Sequence, residues 1–379
     1  MEPKLRFKEF SGDWEEKKIG NILKIKHGKD QKEIEIENGK YPILGTGGVI
    51  GSTNTPICTW ECVLIGRKGT IDKPQYMNTP FWTVDTLFYS KPEKDNNAKY
   101  QYYLFQTINW KKYNEASGVP SLSDKTIESI KINTTSLPEQ TKIADFLSTV
   151  DEKIQNQQDK ITHLENIKKG FMQKIFSRKI RFKDANGNEF PEWEETTIGK
   201  SGYFYYGKSA PKWSIKENAT TPCIRYGELY TTHNIIVKNI KSYTNIDKEN
   251  LKFSKGNEVL VPRVGEEPLD FCKCCYLPFP NIAIGEMISV YNTENNPLFI
   301  SYLFNATMKY EFARRVEGGN VSNLYFVYLE NIPMMLPCLE EQQKIADFLS
   351  SFDDKIDAEK ETLEHLKELK KGLLQQMFV

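Results

Sequence analysis

The sequence predicts an α+β fold: two pseudo-symmetric α/β domains separated by two long antiparallel coiled-coil helices. Three observations lead there. One helix is written twice: residues 139–176 (EQTKIADFLSTVDEKIQNQQDKITHLENIKKGFMQKIF) and 341–378 (EQQKIADFLSSFDDKIDAEKETLEHLKELKKGLLQQMF) align without a gap, with about half the positions identical. A repeat of that length makes the chain two halves of one plan. Each copy also carries an apolar seam at spacings of three and four: Ile143, Leu147, Val150, Ile154, Ile161, Leu164, Phe171 and Ile175, then Ile345, Leu349, Phe352, Ile356, Leu363, Leu366, Leu373 and Met377. Sustained over roughly five heptads, such a seam is a coiled-coil signal. Finally, the segments before the two helices echo each other, more faintly.

The first domain, residues 1–136, opens with Arg6-Phe7-Lys8, Trp14, Ile19-Gly20 and Gly28-Lys29. The second, residues 179–336, repeats these as Arg181-Phe182-Lys183, Trp193, Ile198-Gly199 and Gly207-Lys208. Apolar runs at 63–65, 82–89, 259–261 and 282–291, set between Gly, Pro and Asn turns, predict strands. The segments opening at Asn97 and Asn296 predict short helices. Residues 137–178 form the first long helix, with Ser136 and Glu139 as a capping box and Pro138 in the first turn. At 1.5 Å per residue the repeated helix is about 57 Å long. The polar, turn-rich stretch 178–192 links the halves, and residues 337–379 form the second long helix.

A narrow seam must be buried, and the obvious partner of each copy is the other. Ile143, Leu147, Val150, Ile154 and Leu164, with Ile345, Leu349, Phe352, Ile356 and Leu366, are the positions expected to pack the helices or receive a partner. Gln157 and Lys168 interrupt the first seam where Glu359 and Lys370 interrupt the second. Such positions either set register or are exposed near the helix ends.

With 379 residues, 39% hydrophobic and 27% charged, the chain is long enough for two folded domains plus helices. No run of 18 apolar residues is present and the first residues lack an apolar signal core, so a cytoplasmic protein is expected. The seven cysteines are spaced differently in the two halves, which argues for reduced thiols. Cys272, Cys274 and Cys275 cluster without a second Cys or His pair, so no metal site is expected. Net charge is zero overall and 20 − 17 = +3 for residues 1–136. A neutral chain is a poor non-specific DNA binder by itself, so local patches or a partner protein must supply positive charge.

Catalytic patterns are thin. Residues 202–209 satisfy GxxxxGK[ST], but four consecutive aromatic side chains crowd the loop and no apolar strand precedes it. Asn296-Pro297-Leu298-Phe299 lacks the second proline of the amino-methyltransferase motif, and a helix start explains it better. The four histidines include His163 and His365 at matched helix positions, more in keeping with packing than with base catalysis.

Two unlike domains on two near-copies of one antiparallel rod would suit two half-sites on DNA, whose equivalent groove faces recur about every 34 Å. Arginine pairs bidentately with guanine, and short polar residues near glycine reach phosphates. The candidates in the first domain are His27, Lys29, Arg67, Lys68, Ser117 and Ser121. In the second they are Tyr206, Lys208, Arg225, Tyr226, Arg263, Asn320, Ser322 and Asn323.

The repeated EQxKIADFLSxxDxKI signature, the Trp-x4-Ile-Gly openings, and Gly66-Arg67-Lys68-Gly69-Thr70 with Trp82-Thr83-x-Asp85-Thr86 resemble the DNA specificity subunit of type I restriction–modification systems. The resemblance covers nearly the whole chain. It implies two target recognition domains reading the halves of a bipartite DNA site, with no catalytic activity and no cofactor in this subunit. It further implies two modification (methyltransferase) subunits bound along the repeated helices, carrying the S-adenosylmethionine chemistry. Restriction subunits that translocate with ATP and Mg would join them. The second domain departs from the Gly-Arg-Lys-Gly-Thr pattern at Pro262-Arg263-Val264-Gly265. The rival readings are a coiled-coil protein scaffold without DNA recognition and a self-sufficient methyltransferase or nucleotide hydrolase.

Overall fold

The structure, a computed structural model, describes residues 2–319 and 321–379. The chain forms two compact units: the N-terminal part through Lys160 together with Glu359–Val379, and Ile161–Ala358. The two long helices, Leu137–Phe176 and Leu339–Met377, contribute a segment to each unit.

In the first unit the main sheet has the strand order Leu23–Lys26, Leu87–Pro92, Cys62–Gly66, Gln75–Met77, all neighbours antiparallel. All five residues of Cys62–Gly66 are buried, as a continuous apolar strand covered on both faces should be. A smaller sheet joins Gly48–Thr53, Tyr41–Gly45 and Trp82–Thr83, the last two parallel. Helix Ala98–Thr107 packs on the central strand and is capped by Asn97, whose side chain accepts from the Tyr100 N–H at 2.9 Å.

The second unit repeats the plan. Its main sheet runs Gly202–Tyr206, Ile288–Thr293, Glu258–Pro262, Cys275–Leu277, again antiparallel throughout. Its other sheet runs Ser242–Thr244, Thr221–Ile224, Pro280–Ile284, Phe253–Lys255, with the middle pair parallel. Helix Pro297–Thr307 is capped by Asn296 in the same way as its counterpart. The GxxxxGK[ST] stretch is largely the edge strand Gly202–Tyr206.

Three expectations are corrected. The runs 82–89 and 282–291 are each two strands, not one. Turns at Val84–Leu87 and Gly285–Ile288, closed by backbone bonds of 3.0 and 3.2 Å, send the chain from one sheet into the other. Apolarity alone could not reveal this, because both strands of each run are buried.

The Ser136–Glu139 capping box is replaced by tertiary pairing. The Glu139 carboxylate accepts from Arg6 Nε at 2.7 Å and Nη2 at 2.9 Å, and from the Thr135 hydroxyl. Its counterpart Glu341 accepts from Arg181 Nη2 at 2.8 Å and from Trp193 Nε1 at 3.2 Å. The 178–192 linker is thereby tied down, and it folds back on itself through a Lys183–Glu189 bridge around Gly187 (φ +84°).

The seam, lastly, is not reserved for the other helix. Ile143 and Leu147 enter the core of the first unit beside Trp14, Tyr100, Met377 and Phe378. Ile345 and Leu349 enter the core of the second unit beside Trp193, Phe299 and Ile175. Val150 and Ile356 are buried, while Ile154, Leu164, Phe352 and Leu366 are half-buried. The Cys58 and Cys62 sulfurs lie 3.9 Å apart, and Cys272, Cys274 and Cys275 are buried.

Candidate nucleic-acid interface

Because alternate strands of an antiparallel sheet run the same way, the first and third strands of each main sheet end at one edge. In the first unit that edge presents His27 and Lys29 beyond Leu23–Lys26, and Arg67 and Lys68 beyond Cys62–Gly66. The chain passes close there: a Cβ on Gly28 would lie 2.0 Å from the Val84 carbonyl oxygen. Lys29 is fixed through its backbone, its N–H donating to Thr83 O at 2.9 Å and its carbonyl accepting from Trp82 Nε1 at 3.0 Å.

Arg67 is anchored twice, N–H to Thr86 O at 2.8 Å and carbonyl to Leu122 N–H at 2.9 Å. The loop carrying Ser117 and Ser121 lies against it: Lys68 bridges Ser121, and Gly69 N–H donates to Pro120 O at 2.8 Å. Asn114 Oδ1 closes that loop by accepting from Ser121 N–H at 2.9 Å. His27, Lys29, Lys68 and Ser117 are exposed; Arg67 and Ser121 are half-buried. His27 Nε2 sits 3.3 Å from Asp124 Oδ2, and this hydrogen bond holds the Asp124 carboxyl below its ordinary range. The six first-domain candidates therefore gather on one edge.

The second unit builds the matching edge from other side chains. Arg263 makes the same two backbone bonds as Arg67, to Met287 O at 3.1 Å and from Leu324 N–H at 2.8 Å. Tyr206 ends the first strand of that sheet, which runs the same way as Glu258–Pro262 but is separated from it by Ile288–Thr293; Lys208 lies two residues beyond, its N–H donating to Ile284 O at 2.8 Å. The Arg263 guanidinium lies 4.5 Å from the Tyr206 ring centre and 5.2 Å from that of Tyr325. Asn323 pairs with Val264, the next residue. Arg225 and Tyr226 border a small recess with Ser209, Gly285 and Glu286. Ser322 is buried, its hydroxyl donating to Gly319 O at 3.3 Å, so it braces the loop from inside. Asn320 lies outside the described residues.

Tyr325 was not singled out by sequence. Its only signal is its place two residues beyond Asn323 in a loop-rich stretch. Two further constellations lie on the long helices. In the first unit Asp151 accepts from Lys370 Nζ at 2.7 Å and from the Tyr103 hydroxyl at 2.8 Å. In the second unit Asp353 accepts from Lys168 Nζ and from the Tyr302 hydroxyl, both at 2.5 Å. Burial, and then the neighbouring aspartate, pushes both tyrosine hydroxyls well above the usual phenol range. The interrupting lysines are thus largely buried, at 12% exposure for Lys168 and 16% for Lys370.

Gln157 meets its own repeat counterpart, donating to Glu359 Oε2 at 2.6 Å and to its carbonyl at 2.9 Å. In the first unit 151 faces 370 while 157 faces 359. In the second unit 168 faces 353 while Phe171 packs on Phe348. Within each unit the helix segments are antiparallel. Lys238 adds a bond between the second globular segment and the helix, reaching Asp354 at 2.8 Å and Asp357 at 2.6 Å.

Among the described residues no group of three or more His, Cys, Asp or Glu is placed to hold a metal ion. Among the described residues no helix is long and apolar enough to cross a membrane.

Residues 11–166 and 192–368 each match the family described as the type I restriction modification DNA specificity domain. Two relatives come from Methanocaldococcus jannaschii. The type I restriction enzyme MjaVIII specificity subunit is 24% identical, over 97% of this chain and 94% of that one. The putative type I restriction enzyme MjaX specificity subunit is 26% identical, over 97% and 93%. Among solved structures, the S subunit of a type-I restriction-modification system from M. genitalium has a TM-score of 0.67 at 17% identity, covering 100% of this chain and 99% of that chain. A chain from a study of complex assembly and conformational transition of the type I R-M system has a TM-score of 0.57 at 12% identity, covering 97% and 98%. These likenesses show a shared fold. With the family matched twice, over most of the sequence and once in each repeat, the chain belongs to the type I restriction–modification DNA specificity subunit family.

Proposed function

We infer that the chain works as the non-catalytic, sequence-specific DNA-binding subunit of a type I restriction–modification system, recognising a bipartite target and directing partner subunits to it. One observation carries the reading. The same main sheet ends in each unit in a basic, backbone-anchored edge, yet the side chains on the two edges differ. Equal scaffolds with unequal edges are what two different half-sites require.

In this reading residues 1–136 and 179–336 are the recognition segments, residues 137–178 and 337–379 the helical ones, and 178–192 the link between halves. His27, Lys29, Arg67, Lys68, Ser117 and Ser121 meet the first half-site. Tyr206, Lys208, Arg225, Tyr226, Arg263 and Asn323 meet the second, with Asn320 a candidate by its position and Ser322 a support. Two modification subunits dock along the helices and bring S-adenosylmethionine; restriction subunits bring ATP with Mg; this chain needs no cofactor of its own. The assembly works in the cytoplasm. Near-zero net charge fits a reader whose partners help clamp the duplex.

Exchanging residues 193–335 for those of a relative of different specificity tests the reading. Mapping modified bases in cells carrying the exchange should show one half of the target changed and the other kept. Loss of both halves together would refute it. A coiled-coil scaffold without DNA recognition predicts no sequence-selective retention of DNA even with modification subunits supplied.

A further inference from the structure

We propose that Arg263 reads a guanine in the half-site met by residues 179–336, as the specificity-determining residue of that domain; the inference rests on the DNA-binding function proposed above. Arg67 and Arg263 hold equivalent places, each at the end of the central strand and each tied by its carbonyl to a leucine N–H, Leu122 or Leu324. Their guanidinium groups are set differently. Arg67 shares its charge with Asp85, Nη1 lying 3.3 Å from the carbonyl oxygen and 3.8 Å from the carboxylate.

Arg263 has no carboxylate within ion-pair distance among the described residues. It packs instead against two tyrosine rings, 4.5 Å from Tyr206 and 5.2 Å from Tyr325. The platform is itself fixed: Tyr206 lies 4.4 Å from Phe326, which stacks on Phe204 at 5.3 Å. A guanidinium held against aromatic rings keeps its N–H edge for hydrogen bonding. At that edge Nε is buried without a partner, and Nη1 has only a long 3.5 Å contact to Glu286 O. Nη2 bonds to no described residue.

A charged fork with unused donors, immobilised before any ligand arrives, has already lost the rotamer freedom that binding would otherwise cost. Its geometry matches O6 and N7 of guanine in the major groove. A phosphate would also accept a fork, but it would give no discrimination between sequences.

The test uses the full chain assembled with its modification subunits. The wild-type target is defined by mapping modified bases, and retention is then measured on duplexes carrying every single-base change. The wild type should show one guanine in the second half-site whose replacement weakens retention about tenfold to a hundredfold. Arg263→Ala should lose discrimination at that position alone and leave the first half-site intact. Arg263→Gln, which keeps bulk against the tyrosines, should do the same, and melting temperatures of both variants confirm folding. A uniform loss across all sequences with a shallower salt dependence would make Arg263 a phosphate contact and overturn the proposal. So would an unchanged guanine preference, or a wild-type second half-site containing no G·C pair. If the wild-type assembly retains no sequence selectively, the proposed function fails as well.

Discussion

The Arg6–Glu139 and Arg181–Glu341 pairs show how single residues tie the chain together. Glu139 is 2% exposed and Glu341 is fully buried, so each carboxylate depends on its arginine. Removing one partner of a buried pair leaves an uncompensated charge and costs about 3–5 kcal/mol. Arg6→Ala should therefore lower stability by about 3 kcal/mol in urea unfolding. An unchanged midpoint would mean that water replaces the arginine. Burial alone would raise the Glu139 pKa, but hydrogen bonds from Arg6 and Thr135 outweigh it and hold the group below its ordinary value of 4.5. The sign follows directly: the unfolded chain takes up the proton first as pH falls, so this pair's contribution is full above about pH 4.5 and is lost as pH drops through the folded value. Wild-type melting temperature should fall on acidification from pH 5 in a way that Glu139→Gln blunts.

The long helices carry two kinds of seam. Their first turns are core elements, since Ile143, Leu147, Ile345 and Leu349 are each at most 2% exposed inside a globular core. Leu147→Asp should accordingly damage the first unit itself: a charge at a fully buried site costs several kcal/mol. Proteolysis of the first unit ahead of the second would show it; equal resistance to wild type would not fit. Farther along, polar contacts join the apolar ones. Lys168 with Asp353, and Lys370 with Asp151, join helix to helix, and a tyrosine joins the same aspartate to the globular segment. Lys168→Ala should destabilise by a few kcal/mol, whereas Lys168→Met combined with Asp353→Leu and Tyr302→Phe, which leaves no buried hydroxyl unpaired, should come near to neutral. If the triple variant is the worse of the two, the group stabilises the fold in its own right.

At the scale of the whole molecule, function follows from duplication with divergence. The two main sheets share strand order and direction, and the arginine anchor recurs at the end of each central strand. What differs is what surrounds the anchor, an aspartate in one unit and two tyrosines in the other. With 51 basic and 51 acidic residues the chain lacks the charge for strong non-specific DNA binding. The isolated subunit should bind random duplex weakly at physiological salt, and added modification subunits should tighten binding and steepen its salt dependence. Gel retardation across a salt series would reveal a chain that binds alone as tightly as the assembly, which would contradict this.

Sequence by itself determined the repeat, the long helices, the α/β character of each half and the family, because these are periodic or local signals. The seven-residue seam is a consequence of helical geometry, and Asn97 and Asn296 announce helix starts by their chemistry. It also marked the loops at Arg67 and Arg263, since glycines cluster where chain segments approach closely. Tertiary structure alone decided the rest. Only packing could show that Glu139 answers Arg6 rather than the backbone of Ser136, that runs 82–89 and 282–291 change sheets midway, and that Lys168 and Lys370 are held inside rather than solvated. Each of those outcomes depends on a partner more than ten residues away, and no local pattern encodes which distant group will fill a given space.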